Sequence, residues 1–155
     1  MDGTNQLVVF TLDDQQYGLG LSCVERIVRA VEVTHLPEAP DVVYGVINVE
    51  GRIIPVINSR KRLGLPEREI ELDDHFIIIT QDGRTMALVG DEVRPVLEVP
   101  DEQLVGSDRI VPGKGYVRGV AKLEQGMVMI LSPERTLSFE EHDMLSSAIE
   151  GMLEE

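Results

Sequence analysis

Three histidines, one cysteine and a surplus of carboxylates are the residues from which this chain could build chemistry. A metalloprotease site would place two histidines four residues apart on one helical face, with a glutamate as base. His35, His75 and His142 are widely separated, and His142, although preceded by Glu140 and Glu141, has no histidine partner at that spacing. No Gly-x-Ser-x-Gly elbow occurs, so an acyl-transfer triad has no nucleophile signature. Cys23 has no basic neighbour nearer than Arg26, which describes an inert packed thiol rather than an activated thiolate. Gly113-Lys114-Gly115 lacks the hydroxyl residue after lysine and the upstream glycine of a phosphate cradle, so it reads as a turn. The adjacent pairs Asp73-Asp74 and Glu140-Glu141 read as solvated carboxylates. The expectation is a non-enzyme with no catalytic residue, no metal and no cofactor.

Binding chemistry is concentrated in Tyr44–Leu65 instead. Gly45 and Gly51 bracket a short strand and point to tight backbone geometry at each end. Pro55 interrupts a β-branched run, which predicts an edge strand or a bulge because proline cannot donate to a ladder. Arg60-Lys61-Arg62 is a basic cluster in an acidic protein. It is either a solvated helix face or an attachment site for an acidic partner.

The elements that must position these residues are mostly strands. Leu7–Leu12 is a continuous apolar run, Asp13–Gln16 breaks it, and Tyr17, Leu19 and Leu21 then alternate at period two. Phe76–Thr80, a turn at Gln81–Arg84 centred on Asp-Gly, and Met86, Leu88 and Val89 repeat the device. Farther on, Gly45–Gly51 leads into Ile53–Ile57 and Asn58, while Gly119–Gly126 leads into Met127–Leu131 and Ser132. Two matching stretches in the same order read as an internal duplication of a small β unit. Asn58 and Gly64 bracket a short helix, Ser59–Leu63, and Ser132-Pro133 opens a turn through Leu137. Ser138 and Glu141 form a capping box for a C-terminal helix with Met144, Leu145, Ala148, Ile149 and Met152 on one face.

The totals narrow the function classes. At 155 residues and 43% hydrophobic, the chain can bury the core of one domain or of two small packed halves. Its formal charge is −14, from 28 acidic and 14 basic residues, which disfavours nucleic acid and anionic membrane surfaces. Such charge gives solubility and steers basic partners. Apolar runs such as Phe76–Ile79 fall far short of the roughly 20 residues that span a bilayer. Met1–Gln6 carries Asp2 and no basic residue, so no secretory signal is expected. A single cysteine precludes an internal disulfide and fits a reducing cytoplasm.

From about Leu7 to the final helix, the chain resembles the CheW family of bacterial chemotaxis coupling proteins. The residues that carry the resemblance are Phe10–Gly18, then Val33-Thr34-His35-Leu36-Pro37 with Ala39-Pro40, and above all the string Gly45–Asn58. The resemblance implies an all-β fold: two SH3-like five-stranded β-barrel subdomains sharing a hydrophobic core, with short helices and a C-terminal helix. Residues 1–155 would form one domain, with pseudo-repeated subdomains at about 7–70 and 71–137, some strand exchange between them, and a helix over 138–153. It also implies a non-catalytic adaptor that couples the cytoplasmic tip of a methyl-accepting chemoreceptor to a histidine autokinase. The kinase would contribute a regulatory domain of the same fold. Such an adaptor is cytoplasmic and recruited to membrane-associated receptor arrays, without inserting into the membrane or binding nucleic acid.

Carried over residue by residue, the resemblance marks Val24, Arg26, Ile27, Gly45, Val46, Asn48 and Glu50 as receptor-groove residues. Core roles for Val24 and Ile27 and a turn role for Gly45 stay open beside that reading. The family commonly has glutamate where this chain has Arg26 and arginine where it has Glu50, so a reversed ion pair is expected, fitting a specialised adaptor for an output other than swimming. Asn58 stands where aspartate is commoner, and either residue caps a helix. The alternative is a small-ligand module holding a nucleotide or purine between the barrels. Three Phe, three Tyr and no Trp give that reading little to stack a base against.

Overall fold

The computed structural model describes residues 4–106, 116–124 and 126–153; the turn expected at Gly113-Lys114-Gly115 and the leading Met1–Gly3 lie outside them. The apolar runs become strands because both of their faces find cover. In chain order these are β1 (Thr4–Leu12), β2 (Gln15–Gly20), β3 (Val24–Arg29), β4 (Val43–Val49), β5 (Arg52–Ile57), β6 (His75–Gln81) and β7 (Arg84–Gly90). They are followed by β8 (Glu92–Val93), β9 (Leu97–Pro100), β10 (Leu104–Gly106), β11 (Val117–Leu123) and β12 (Gly126–Leu131). Helix α1 (Ser59–Leu63) follows β5, and α2 (Phe139–Leu153) closes the described chain.

The strands divide between two sheets. The first has seven strand segments in the order β10-β11-β12-β2-β1-β8, with β9 also on β1. Segments β8 and β9 follow one course along β1, from Thr11↔Glu92 to Thr4↔Pro100, with a slip of one residue between them. A 3-10 turn at Asp101–Gln103 then carries the chain into β10, which pairs with β11. Counted by course, β8 to β10 is one bent strand, and the sheet is a five-stranded barrel. The second sheet has the order β3-β6-β7-β5-β4. It closes where Thr34 and Val46 exchange two backbone hydrogen bonds of 2.8 Å. Each sheet draws strands from both sides of residue 70. Hairpin β1–β2 docks in parallel on β12, and hairpin β6–β7 docks in parallel on β5.

Alternation along each strand sorts the apolar side chains into three cores. Leu7, Val9, Val99, Ala121, Val128 and Ile130 fill the first barrel. Ile47, Ile54, Val56, Phe76, Ile78, Ala87 and Val89 fill the second. The opposite faces of the same strands, including Phe10, Leu12, Ile57, Ile77, Ile79 and Leu88, join Leu145 and Ala148 of α2 in a shared core. Leu145, Ala148, Ile149 and Met152 of the expected α2 stripe therefore form a packing face, while Met144 is 48% exposed and stands outside it.

Local chemistry sets the boundaries. Asp82-Gly83 and Glu50-Gly51 make two-residue hairpin turns with φ positive at both positions (53° and 76°; 52° and 85°), as the strand twist demands. Helix α1 is capped by Asn58, whose Oδ1 accepts from the Lys61 amide at 3.1 Å, and ends at left-handed Gly64. The capping box on α2 is formed, with Ser138 N–H to Glu141 Oε1 at 2.8 Å and Glu141 N–H to Ser138 Oγ at 3.1 Å. Ser132 precedes a 3-10 turn, Pro133–Arg135, without a side-chain cap.

Of the two expectations for Pro55, the edge strand is overturned, because β5 is an interior strand between β7 and β4, while a bulge does lie in the β4–β5 pairing beside it. Pro55 opposes Val46, whose backbone groups point away to Thr34, so its missing N–H falls on the β7 side. The β7 ladder covers only Val56 and Ile57 there, and no hydrogen bond is lost. The bulge lies on the partner strand, between Val43 and Gly45.

Candidate functional site

The far end of the second barrel, where β3 begins and the β4–β5 turn folds over, gathers four of the seven marked residues at the surface. Arg26 Nη1 lies 3.1 Å from Glu50 Oε2, both side chains exposed. Asn48 Oδ1 accepts the Gly51 amide at 2.9 Å and fixes the turn that presents Glu50. Ile27 is 38% exposed on the outer face of the barrel, opposite Ile77. Ile53, opposite Asn48 on β5, is 38% exposed as well.

The other three marked residues are placed beneath that surface. Val46 is 3% exposed and contributes its backbone to barrel closure. Gly45 passes so near Thr34 that a Cβ would sit 2.1 Å from the Thr34 carbonyl oxygen, a contact no side chain tolerates. Val24 is half-buried against the shared core. Gly45 and Val46 thus serve the shape of the site, while Val24 stays partly exposed at its border.

A polar row beside this surface escaped the sequence reading. Glu25 sits at a register shift in β3 and accepts Arg52 Nη1 at 2.6 Å. Arg52 Nη2 donates to Thr85 Oγ1 at 3.1 Å, and Thr85 and Thr80 hydroxyls lie 3.2 Å apart. The row crosses β5, β7, β6 and β3, and the Arg52 hydrogen bond holds the Glu25 carboxyl below its ordinary range. Its members lie on four strands far apart in sequence, so no local spacing announces them. This end of the barrel thus offers an exposed charge pair with an exposed isoleucine next to Arg26 on β3 and a second, Ile53, on β5 just past the Glu50 turn, a mix of apolar and charged side chains suited to protein docking.

The basic cluster on α1 is used internally, which overturns its reading as an attachment site. Arg60 is 5% exposed, with Nη1 3.0 Å from Asp13 Oδ1 and Nη2 2.7 Å from Asp91 Oδ1. Arg68 joins from the other side, 2.6 Å from Asp91 and 2.8 Å from Asp74. Burial alone would push the Asp91 carboxyl up; the Asp13 amide and the two guanidiniums outweigh it, and the net direction is down. Arg62 Nη2 meets Glu141 Oε2 at 2.6 Å and ties α1 to α2. Lys61 is the member of the cluster left at the surface.

Burial pushes the half-buried Cys23 thiol up, away from thiolate chemistry. The stacked ring pair among the described residues, Phe10 and Tyr17 at 5.9 Å, lies in the shared core and offers no platform for a purine. No described helix is long and apolar enough to cross a membrane.

Comparison with known proteins agrees with this architecture. The CheW-like domain family matches residues 6–141. "Chemotaxis protein CheW" of Treponema pallidum (strain Nichols) is 29% identical over 148 residues, covering 92% of this chain and 87% of that protein. Its namesake in Rhizobium meliloti (strain 1021) is 28% identical over 145 residues, covering 92% and 93%. The crystal structure of scaffolding protein TtCheW from Thermoanaerobacter tengcongensis superposes with a TM-score of 0.81 at 30% identity, covering 88% of this chain and 94% of that one.

Proposed function

The chain belongs to the CheW family of chemotaxis scaffold proteins, and on that premise we propose that it couples a methyl-accepting chemoreceptor to a histidine autokinase without catalysing a reaction. The observation that carries this reading is the exposed Arg26–Glu50 pair at the barrel end, with Ile27 exposed beside Arg26 and Ile53 exposed just beyond the Glu50 turn. Aliphatic side chains exposed on a rigid barrel, ringed by satisfied charges, suit a partner that brings its own apolar stripe, such as the helical tip of a receptor. The kinase would dock through a regulatory domain of the same fold. By holding kinase and receptor in one geometry, the adaptor would shift the kinase between its active and inactive populations. The working place is the cytoplasm, at receptor arrays.

The Arg26–Glu50 pair sets which receptor fits. Its signs are opposite to those the family resemblance leads one to expect, and a receptor matched to the usual arrangement would meet repulsion here.

Affinity capture from the native organism tests the proposal. Tagged wild-type chain should retain both a histidine kinase and a methyl-accepting receptor. An Ile27→Glu/Ile53→Glu variant should keep the kinase and lose the receptor. Recovery of neither partner by the wild type refutes the coupling role, and retention of the receptor by the variant refutes the assignment of this barrel end.

A further inference from the structure

We propose that the opposite end of the second barrel is a separate docking groove for a protein segment that carries an aliphatic or aromatic anchor flanked by Lys or Arg. The groove lies where the barrel interior reaches solvent. Val33, Tyr44 and Ile70 pack onto the end of the inner core while partly exposed, and the Tyr44 hydroxyl is tied to the Arg68 carbonyl at 3.2 Å. Beyond them Val31 is 47% and Leu72 is 82% exposed. They line one trough. Strand β4 leaves this groove at Tyr44, its second residue, and ends at the turn bearing Glu50, about 20 Å along the strand. The two surfaces are far enough apart to be occupied together.

Charge identifies the occupant. Glu32, Glu69 and Glu71 stand on the walls of the trough. Glu32 and Glu69 have no cationic partner among the described residues, and Glu71 meets Arg68 only at 3.8 Å. Arg68 itself is drawn inward to Asp74 and Asp91, so the rim carries uncompensated negative charge around an apolar floor. A basic segment would neutralise the rim as its anchor covers Leu72 and Val31. A second copy of the chain is a poor occupant. Each copy carries a formal charge of −14, and a two-fold contact would set these glutamates against their own images. The inference rests on this groove's own chemistry and stands whether or not the receptor is correctly assigned to the Arg26–Glu50 end.

The test uses the full chain, isotope-labelled, titrated with three synthetic peptides while backbone amide shifts are followed. One peptide carries Leu-Val-Phe between lysine pairs, one carries the same core between glutamate pairs, and one carries Ser-Ser-Ser between lysine pairs. The proposal predicts saturable shifts at residues 30–35 and 69–72 with the first peptide alone. They should weaken at about 0.5 M salt, and affinity should fall about tenfold in Leu72→Ser and in Glu69→Lys/Glu71→Lys. Both variants alter exposed side chains, and unchanged spectra elsewhere establish that they fold. Equal response to the acidic peptide, or to the lysine peptide without its apolar core, overturns the proposal. So do shifts centred on other faces, or no binding at all. Shifts of the same residues on concentrating the chain without peptide would seat a second copy there and overturn it too.

Discussion

Replacing Arg60 with alanine would leave Asp91 facing Arg68 without its second guanidinium and would release Asp13 at the barrel junction. Breaking a buried pair by removing one partner costs up to about 5 kcal/mol, and we expect about 3 kcal/mol here because Asp13 is half solvated. Urea unfolding should show the midpoint fall with an unchanged slope. Gly45→Ala should be at least as damaging, at roughly 3 kcal/mol or more, since its Cβ meets a backbone carbonyl that can move only by opening the barrel. The exposed Arg26–Glu50 pair is different. The double exchange Arg26→Glu with Glu50→Arg should change stability by less than about 1 kcal/mol, while strengthening binding to receptor tips of conventional CheW systems, measured by titration. At this scale the sequence was informative where the family resemblance leads one to expect a charge pair, and silent where partners come from separate strands. Arg26 and Glu50 could be paired from the resemblance; Glu25, Arg52, Thr80 and Thr85 could not. The Arg60-Lys61-Arg62 cluster misled because composition shows the charges but not the carboxylates that Asp13, Asp91 and Glu141 bring to them from distant parts of the chain.

Helix α2 is fastened at its first turn by two carboxylate contacts that depend on ionised Glu141. Burial alone would raise that carboxyl, yet the Ser138 amide and the Arg62 guanidinium outweigh it and the net direction is down. A lowered carboxylate stabilises the fold fully above its unfolded value of about 4.3. That contribution is lost as pH falls through the lower folded value. Asp91 acts in the same sense at the barrel junction. Protection of the α2 amides, that is exchange relative to its intrinsic rate at each pH, should therefore fall below about pH 4, and Glu141→Gln should lower it at neutral pH and make it less sensitive to acid. Protection in α2 that is indifferent to both would remove the clamp from the account. Ser138→Ala should cost about 1 kcal/mol through the lost cap. The elements themselves were legible from local signals: the capping boxes, Asn58 and Gly64 around α1, and the Asp-Gly turn all act within a few residues. Pro55 announced the bulge in its pairing but not the strand's interior place, because whether a strand is interior depends on neighbours far along the chain.

Across the whole molecule, the apolar runs foretold two small β units around common cores, because strands buried on both faces lose their polar alternation. The runs did not reveal that hairpins β1–β2 and β6–β7 each complete the other unit's barrel. Parallel pairings of that kind join distant segments, and no local pattern encodes which edge a hairpin will meet. The interleaving has a mechanical consequence. Neither barrel can open without breaking strands of both chain halves, so the protein should unfold in one cooperative step, with calorimetric and van't Hoff enthalpies that agree. Two separable transitions would contradict that. A single rigid body presenting docking chemistry at well-separated places is what a coupling protein requires. The most direct measurement is sedimentation of the purified chain mixed with the cytoplasmic fragment of its cognate chemoreceptor and the regulatory domain of its cognate kinase. Coupling predicts a three-component species in which each partner binds as well in the presence of the other as in its absence. Mutual displacement of the two partners, or failure of either to bind, would contradict it.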